Sequence, residues 1–258
     1  MSLDIGPILE AWKHDPSTLQ VRLIEGEDGR VKIQTRLDLG LLQMEIDGRP
    51  DGQKPHGFDS WLDYYESLTR EAAARGERRM LDRQAHADLM REGVQYYHRY
   101  IALFHLEKFD LVARDTERNL RLFSFVVEHT EDRREAIAFD QYRPYVLMMR
   151  AQALAKTALS LRNTAAAIRR IDEGIAAIRG FLREYGQEGR EEQNVEINFL
   201  NQWREDLQRQ RSIDPAEQLR ERLELAIASE DYEEAARLRD QIRRLGAPGT
   251  AESEQPHP

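Results

Sequence analysis

Residues 214–245 read DPAEQLRERLELAIASEDYEEAARLRDQIRRL. Asp214, Pro215 and Glu217 set up a helix start. The Asp side chain accepts orphan backbone N–H groups, Pro sits at the first helical position where no donor is needed, and the Glu closes a capping box. Leu219, Leu223, Ala226 and Ile227 then recur with the spacing of one helical stripe. Ser229, Glu230 and Asp231 interrupt it. Asp231 with Glu234 repeats the capping logic, and Ala235, Leu238, Ile242 and Leu245 form a second stripe that Gly246 and Pro248 terminate. Glu233 with Arg237, and Asp240 with Arg244, are favourable i, i+4 pairs. The stretch predicts two antiparallel helices joined by a tight turn.

Such a hairpin is small. Domains below roughly 40 residues need a staple or a partner, and the chain has no cysteine to supply a disulfide. Its apolar stripe is therefore expected to pack on the chain's own body, on a second copy, or on another protein.

The run LRERLELAIASEDYEEAARLRDQIRRL resembles the UVR motif, also called the UvrB/UvrC motif. The matching positions are Leu219, Leu223, Ala226, the turn Asp231-Tyr232-Glu233, Ala235-Ala236, Leu238-Arg239-Asp240, Ile242 and Leu245. The family usually carries Phe at the position of Tyr232. The resemblance implies a bacterial protein with a docking hairpin for another protein, which could be a UVR-bearing one or a second copy of this chain. It implies partner-binding residues Leu219, Leu223, Ala226, Asp231, Tyr232, Glu233, Ala236, Arg239, Asp240 and Ile242, with Tyr232 as an exposed anchor at the tip. It does not extend to the engines of the family. No GxxxxGK[ST] phosphate loop occurs, no GIY-YIG nuclease, and no paired CxxC zinc site.

Upstream, residues 85–210 keep helical spacing, through Leu89, Val94, Tyr97, Ile101 and Phe104, then Leu111, Leu120, Phe123 and Val127. Further helical blocks fall at 136–161, 164–185 and 191–210. Two stretches resemble each other: LFHL at 103–106 followed by DLVARDTERNLRLF, and ALSL at 158–161 followed by AAIRRIDEGIAAI. Superposed, Leu120 matches Ile175 and Phe123 matches Ile178, a spacing of 55 residues. That exceeds the tetratricopeptide period of about 34 residues. The block predicts helix-hairpin repeats resembling tetratricopeptide units with lengthened helices, an arrangement whose stacked pairs present concave binding surfaces.

Near the N-terminus the period changes to two. Residues 19–25 (LQVRLIE) alternate, GEDG at 26–29 makes a turn, and residues 30–38 (RVKIQTRLD) place Val31, Ile33, Thr35 and Leu37 on one face. An Asp-Gly between two alternating runs signals a β-hairpin. LLQMEID after Gly40 adds a third strand. The sheet needs a cover, and the helix opening at Asp59-Ser60 with Trp61, Leu62, Tyr64, Tyr65 and Leu68 is expected to supply it. The GRPDG loop at 48–52, with Arg49 and Asp51, is the candidate second functional surface. Asp38, Glu45 and Asp47 read more simply as strand and turn chemistry.

Composition limits what remains. Charged residues make up 33% of the 258, and the net charge is −9, which argues against a broad nucleic-acid surface. No apolar run is long enough for a bilayer, and the first residues lack a signal-peptide pattern, so a cytoplasmic protein without membrane contact is expected. His98 and His105 lie seven apart without an HExxH motif, and no nucleophile elbow or cysteine nucleophile occurs. No catalytic residue, cofactor or metal ligand is assigned. The expectation is an α+β, mainly α chain. Residues 1–84 form a small antiparallel sheet with a helix, 85–211 a helical array, 212–246 the hairpin and 247–258 a disordered tail. The expected function is a non-enzymatic adaptor. The alternatives are an accessory protein of nucleotide excision repair and a ligand-binding or enzymatic N-terminal domain.

Overall fold

The structure is a computed structural model and describes residues 4–213 and 215–246. The tail at 247–258 and the capping residue Asp214 lie outside the described residues. The chain is mainly helical with one small sheet at its N-terminal end.

Strands β1 (Val21–Glu25), β2 (Val31–Leu37) and β3 (Gly40–Glu45) form an antiparallel sheet in the order β1-β2-β3. Val21 faces Thr35, and Ile33 faces Met44, so the predicted alternation sets the register. The turn between β1 and β2 uses Gly29 at φ +71°, a left-handed conformation that glycine adopts without strain. Four consecutive residues of β2 are buried, from Ile33 to Arg36, so both faces of the strand are covered. The second cover comes from the segment that follows a short N-terminal helix, α1 (Gly6–Ala11). Arg36 donates to the Trp12 carbonyl at 2.7 Å, and the Arg22 guanidinium lies 4.1 Å from the Trp12 ring centre. Gln34 and Arg36 are buried with partners, Gln34 bridging Arg22 and Gln43.

The core face of the sheet differs from expectation. Helix α2 (Trp61–Ala74) is capped by Ser60, whose hydroxyl accepts from the Asp63 N–H. Yet its Leu62 and Tyr65 pack with Leu89, Leu122, Phe123 and Phe139, away from the strands. Ile33 and Met44 instead share a core with Tyr100, Leu103, Val112 and Met149. Those residues come from α3 (Arg83–His105), α4 (Phe109–Glu128) and α6 (Arg143–Ser160), so the helical array covers the sheet. Both cores draw residues from either side of position 84.

Between α4 and α6 lies a short helix, α5 (Arg133–Asp140), which divides the stretch that periodicity reads as continuous over 136–161. The cause is Pro144 at the first turn of α6, which cannot donate back into a preceding helix. The corner is fixed by buried Asp140, which accepts from Arg143 at 2.5 Å and from the Tyr185 hydroxyl at 2.6 Å. Burial, with this carboxylate beside it, pushes the Tyr185 phenol upward.

Helix α7 (Thr164–Glu184) returns along α6, and α8 (Val195–Ile213) packs on α7 through Ile197, Leu200 and Leu207. The internal repeat is geometric as well as sequential. α3 ends at His105 and α6 at Ser160, while Glu107 and Arg162 hold φ of 57° and 55° in the middle of their loops. Lys108 N–H closes on the Leu103 carbonyl at 2.9 Å, and Asn163 N–H on the Ala158 carbonyl at 2.9 Å. These are the same six-residue C-terminal closures, 55 residues apart. Val112 and Ala167, Thr116 and Ile171, and Phe123 and Ile178 are buried at equivalent positions.

Candidate docking surface

Helices α9 (Pro215–Ala228) and α10 (Tyr232–Gly246) form the C-terminal hairpin. The turn between them copies the two loops upstream. Glu230 takes φ 59°, and Asp231 N–H closes on the Ala226 carbonyl at 2.8 Å. A non-glycine residue at positive φ in each loop costs little here, because the closure satisfies carbonyls that the helix end leaves orphaned. Asp231 also caps α10, accepting from the Glu234 N–H at 3.1 Å as its spacing predicts. The Glu217 capping partner and the Arg244 and Leu245 side chains lie outside the described residues.

The hairpin folds on itself. Ala226, Ala235 and Leu238 are buried together, with Leu219 and Leu223 packed against them. Among the described residues this cluster holds hairpin residues only, and the hairpin continues from the body through α8 running into α9. The predicted partner-binding residues therefore separate into two groups. Leu219, Leu223 and Ala226 point into the hairpin and hold it together, and Ile242 is half-buried. Tyr232, Glu233, Ala236, Arg239 and Asp240 are exposed, while Asp231 shapes the tip. Arg222 pairs with Glu234 across the hairpin at 2.8 Å, and Arg237 pairs with Glu233 at 2.6 Å along α10. Exposed pairs of this kind contribute only about 0.2–1 kcal/mol each.

One assignment changes. Ile227 does not belong to the inner stripe but is 54% exposed, with Leu225 at 64% and Tyr232 at 69%. Two helices meet along a narrow seam, and Ala226 already fills it at this level, so its neighbour turns outward. The sequence signal for Leu225 is its apolar character off the stripe, whereas the helical spacing of Ile227 places it on the stripe.

Why the hairpin does not stack like its upstream counterparts follows from the same alignment of loops. At the positions of α10 where α4 carries Thr116 and Leu120 and α7 carries Ile171 and Ile175, α10 has Arg239 and Arg243, both exposed. Charged side chains stand where the array buries Thr116, Ile171 and Ile175 and half-buries Leu120.

The GRPDG loop is an internal joint. The Arg49 side chain is 5% exposed and pairs with Asp51 at 2.9 Å and with Glu92 at 3.4 Å. Gln95 donates to the other side of the pair at Asp51, 2.9 Å away. Beneath them Arg99 clasps Asp115 through two bonds of 2.7 and 2.8 Å and donates to the Gly48 and Glu45 carbonyls. Glu92 accepts the Trp61 and Leu62 N–H groups and pairs with Arg118. The network fastens the strand β3 exit to α2, α3 and α4.

A family model described as the UvrB/uvrC motif matches residues 215–247. The hairpin thus carries the UVR motif. No curated protein and no solved structure matches the chain. Among the described residues, no helix is long and apolar enough to cross a membrane.

The hairpin's independence has a direct test. Leu238→Asp places a carboxylate in a site 1% exposed, where an unpaired charge is costly. Far-UV circular dichroism should lose helix corresponding to α9 and α10, while hydrogen exchange in residues 83–207 stays protected. Loss of protection throughout the chain would contradict a separately folded hairpin.

Proposed function

We propose that the chain is a non-enzymatic adaptor working in the cytoplasm, whose hairpin docks a partner protein. The observation that carries this reading is the division of labour within the hairpin. Its inner apolar stripe is consumed by self-packing, yet Tyr232, Ile227 and Leu225 remain exposed around the tip. Tyrosine offers a large, rigid, amphipathic contact, the residue type in which interface energy concentrates. Glu233, Ala236, Arg239 and Asp240 continue this face along α10 with mixed charge, which favours orientation over indiscriminate sticking. The partner is a protein, and one bearing a similar hairpin, including a second copy of this chain, fits the mode best. The body over residues 1–211 then acts as the scaffold. No cofactor is needed for this role.

Affinity capture with the intact chain, compared with Tyr232→Ala, tests the reading. The exposed side chain contributes little to folding, so the variant should keep its circular dichroism spectrum. Capture should weaken by about 30-fold, as for a hot-spot truncation of about 2 kcal/mol. Unchanged capture by Tyr232→Ala would reject the tip as the docking point.

The description of the matching motif keeps an excision-repair accessory role as the second reading. It separates from the first through the proteins captured, since only the second requires the excision-repair subunits among them.

A further inference from the structure

Helices α3, α6 and α8 carry a strip of aromatic side chains around the ammonium of Lys156. Tyr97 and Phe104 lie two turns apart on α3, Tyr145 and Lys156 three turns apart on α6, and Phe199 and Trp203 one turn apart on α8. The Tyr97 and Tyr145 ring centres are 6.4 Å apart at one end. At the other, the Lys156 ammonium lies 5.7 Å from the Phe104 ring, 5.5 Å from Phe109 and 5.9 Å from Trp203. The strip runs about 16 Å along α6 from its helical rise. Tyr97 is 40% and Phe199 47% exposed, so the strip is open to solvent.

Lys156 is unusual among the cations of its helix. Arg143 pairs with Asp140 and Arg150 pairs with Glu117. Lys156 is half-buried, and no carboxylate or carbonyl accepts from it among the described residues. The chain has 47 acidic and 38 basic residues, so acids are in excess. An ammonium held against ring faces and given no acid retains its capacity for a carboxylate from outside.

We propose that this strip binds an acidic-apolar peptide segment of a second protein, with a Glu or Asp carboxylate on Lys156 and its apolar neighbours against Phe104, Trp203 and Phe199. Charge complementarity selects the occupant: one cation ringed by aromatic carbon fits a carboxylate flanked by apolar side chains better than a neutral helix. This surface lies on the body and is separate from the hairpin tip, so the chain would hold two proteins together.

Fluorescence anisotropy of the full chain with a fluorescein-labelled peptide alternating Glu and Leu tests it. Saturable binding is expected, about tenfold weaker for Lys156→Met and also weaker for Phe199→Ser. Lys156→Arg should bind as the original, which separates charge from packing if Lys156→Met alters the fold. A Gln-for-Glu version of the peptide should bind weakly to all of them. Tyr232→Ala should leave this binding intact, so its failure and that of the hairpin reading are distinguishable. The proposal is overturned by no saturable binding, by equal affinity for Lys156→Met, by equal binding of the Gln peptide, or by tighter binding of labelled oligothymidine, which would make the strip a base-stacking site.

Discussion

Arg99→Met is expected to lower the unfolding free energy by about 3–5 kcal/mol, the cost of leaving one member of a buried ion pair without its partner. Arg99 and Asp115 are each 1% exposed, and the guanidinium grips both carboxylate oxygens. It also satisfies the Gly48 and Glu45 carbonyls and lies over the Tyr96 ring at 4.7 Å. Methionine fills much of the volume but donates nothing. Among the described residues Asp115 would retain Arg114, at 3.0 Å, and the Gly48 and Glu45 carbonyls would lose the guanidinium that ties them to α3. Since whole domains are stable by about 5–15 kcal/mol, the loss would take a large share of the total. Urea unfolding followed by circular dichroism measures it. Arg99→Met combined with Asp115→Leu should recover part of the loss, because removing both charges spares the stranded carboxylate. A single variant within about 1 kcal/mol of the original protein would show that the pair holds no more than an exposed one.

That pair also explains what could be read in advance and what could not. Strand register and hairpin closure are local, so alternation in residues 19–46 and the DG turn led directly to β1, β2 and β3. The hairpin at 214–245 was legible for the same reason, since stripe, cap and turn all lie within a few residues of one another. The covering of the sheet was not legible. Trp61, Leu62 and Tyr65 read as its lid because they are the next apolar cluster in sequence. The true lid is the array of α3, α4 and α6, and the inner face of α3 includes Arg99 and Glu92, charged residues that hydrophobic periodicity counts as solvent-facing. Buried ion pairs invert that rule, and their partners sit on other elements, 16 residues away for Arg99 and Asp115 and 26 for Glu92 and Arg118. Arg49 was misplaced by the same inversion: in a turn-rich loop an arginine reads as a surface group, whereas Glu92 draws it inward. Trp12 and α1 escaped notice because a six-residue helix has too few turns to declare a period.

The 55-residue repeat leads to a pair of expectations of opposite sign on one helix. Gly174 in α7 stands where Asn119 stands in α4. A Cβ at Gly174 would lie 2.5 Å from the Ala151 Cβ of α6, a stub with no rotamer to escape into. Glycine therefore sets how closely α6 and α7 approach, and Ile171, Ile175 and Leu200 pack around that approach. Gly180, further along α7, would place its Cβ no nearer than 3.9 Å to the flexible end of Arg183. Helix propensity alone favours alanine at both by about 1 kcal/mol. At Gly180 that gain should be realised, and Gly180→Ala should raise the melting temperature. At Gly174 the forced separation of two packed helices outweighs it, because overpacking costs about 1–3 kcal/mol and here displaces backbone rather than a side-chain end. Gly174→Ala should lower the melting temperature, and adding Ala151→Gly should restore much of the loss by vacating the contested space. Equal stabilisation by both alanine variants would mean that α6 and α7 are not in this close contact, and the second half of the repeat would have to pack differently from the first.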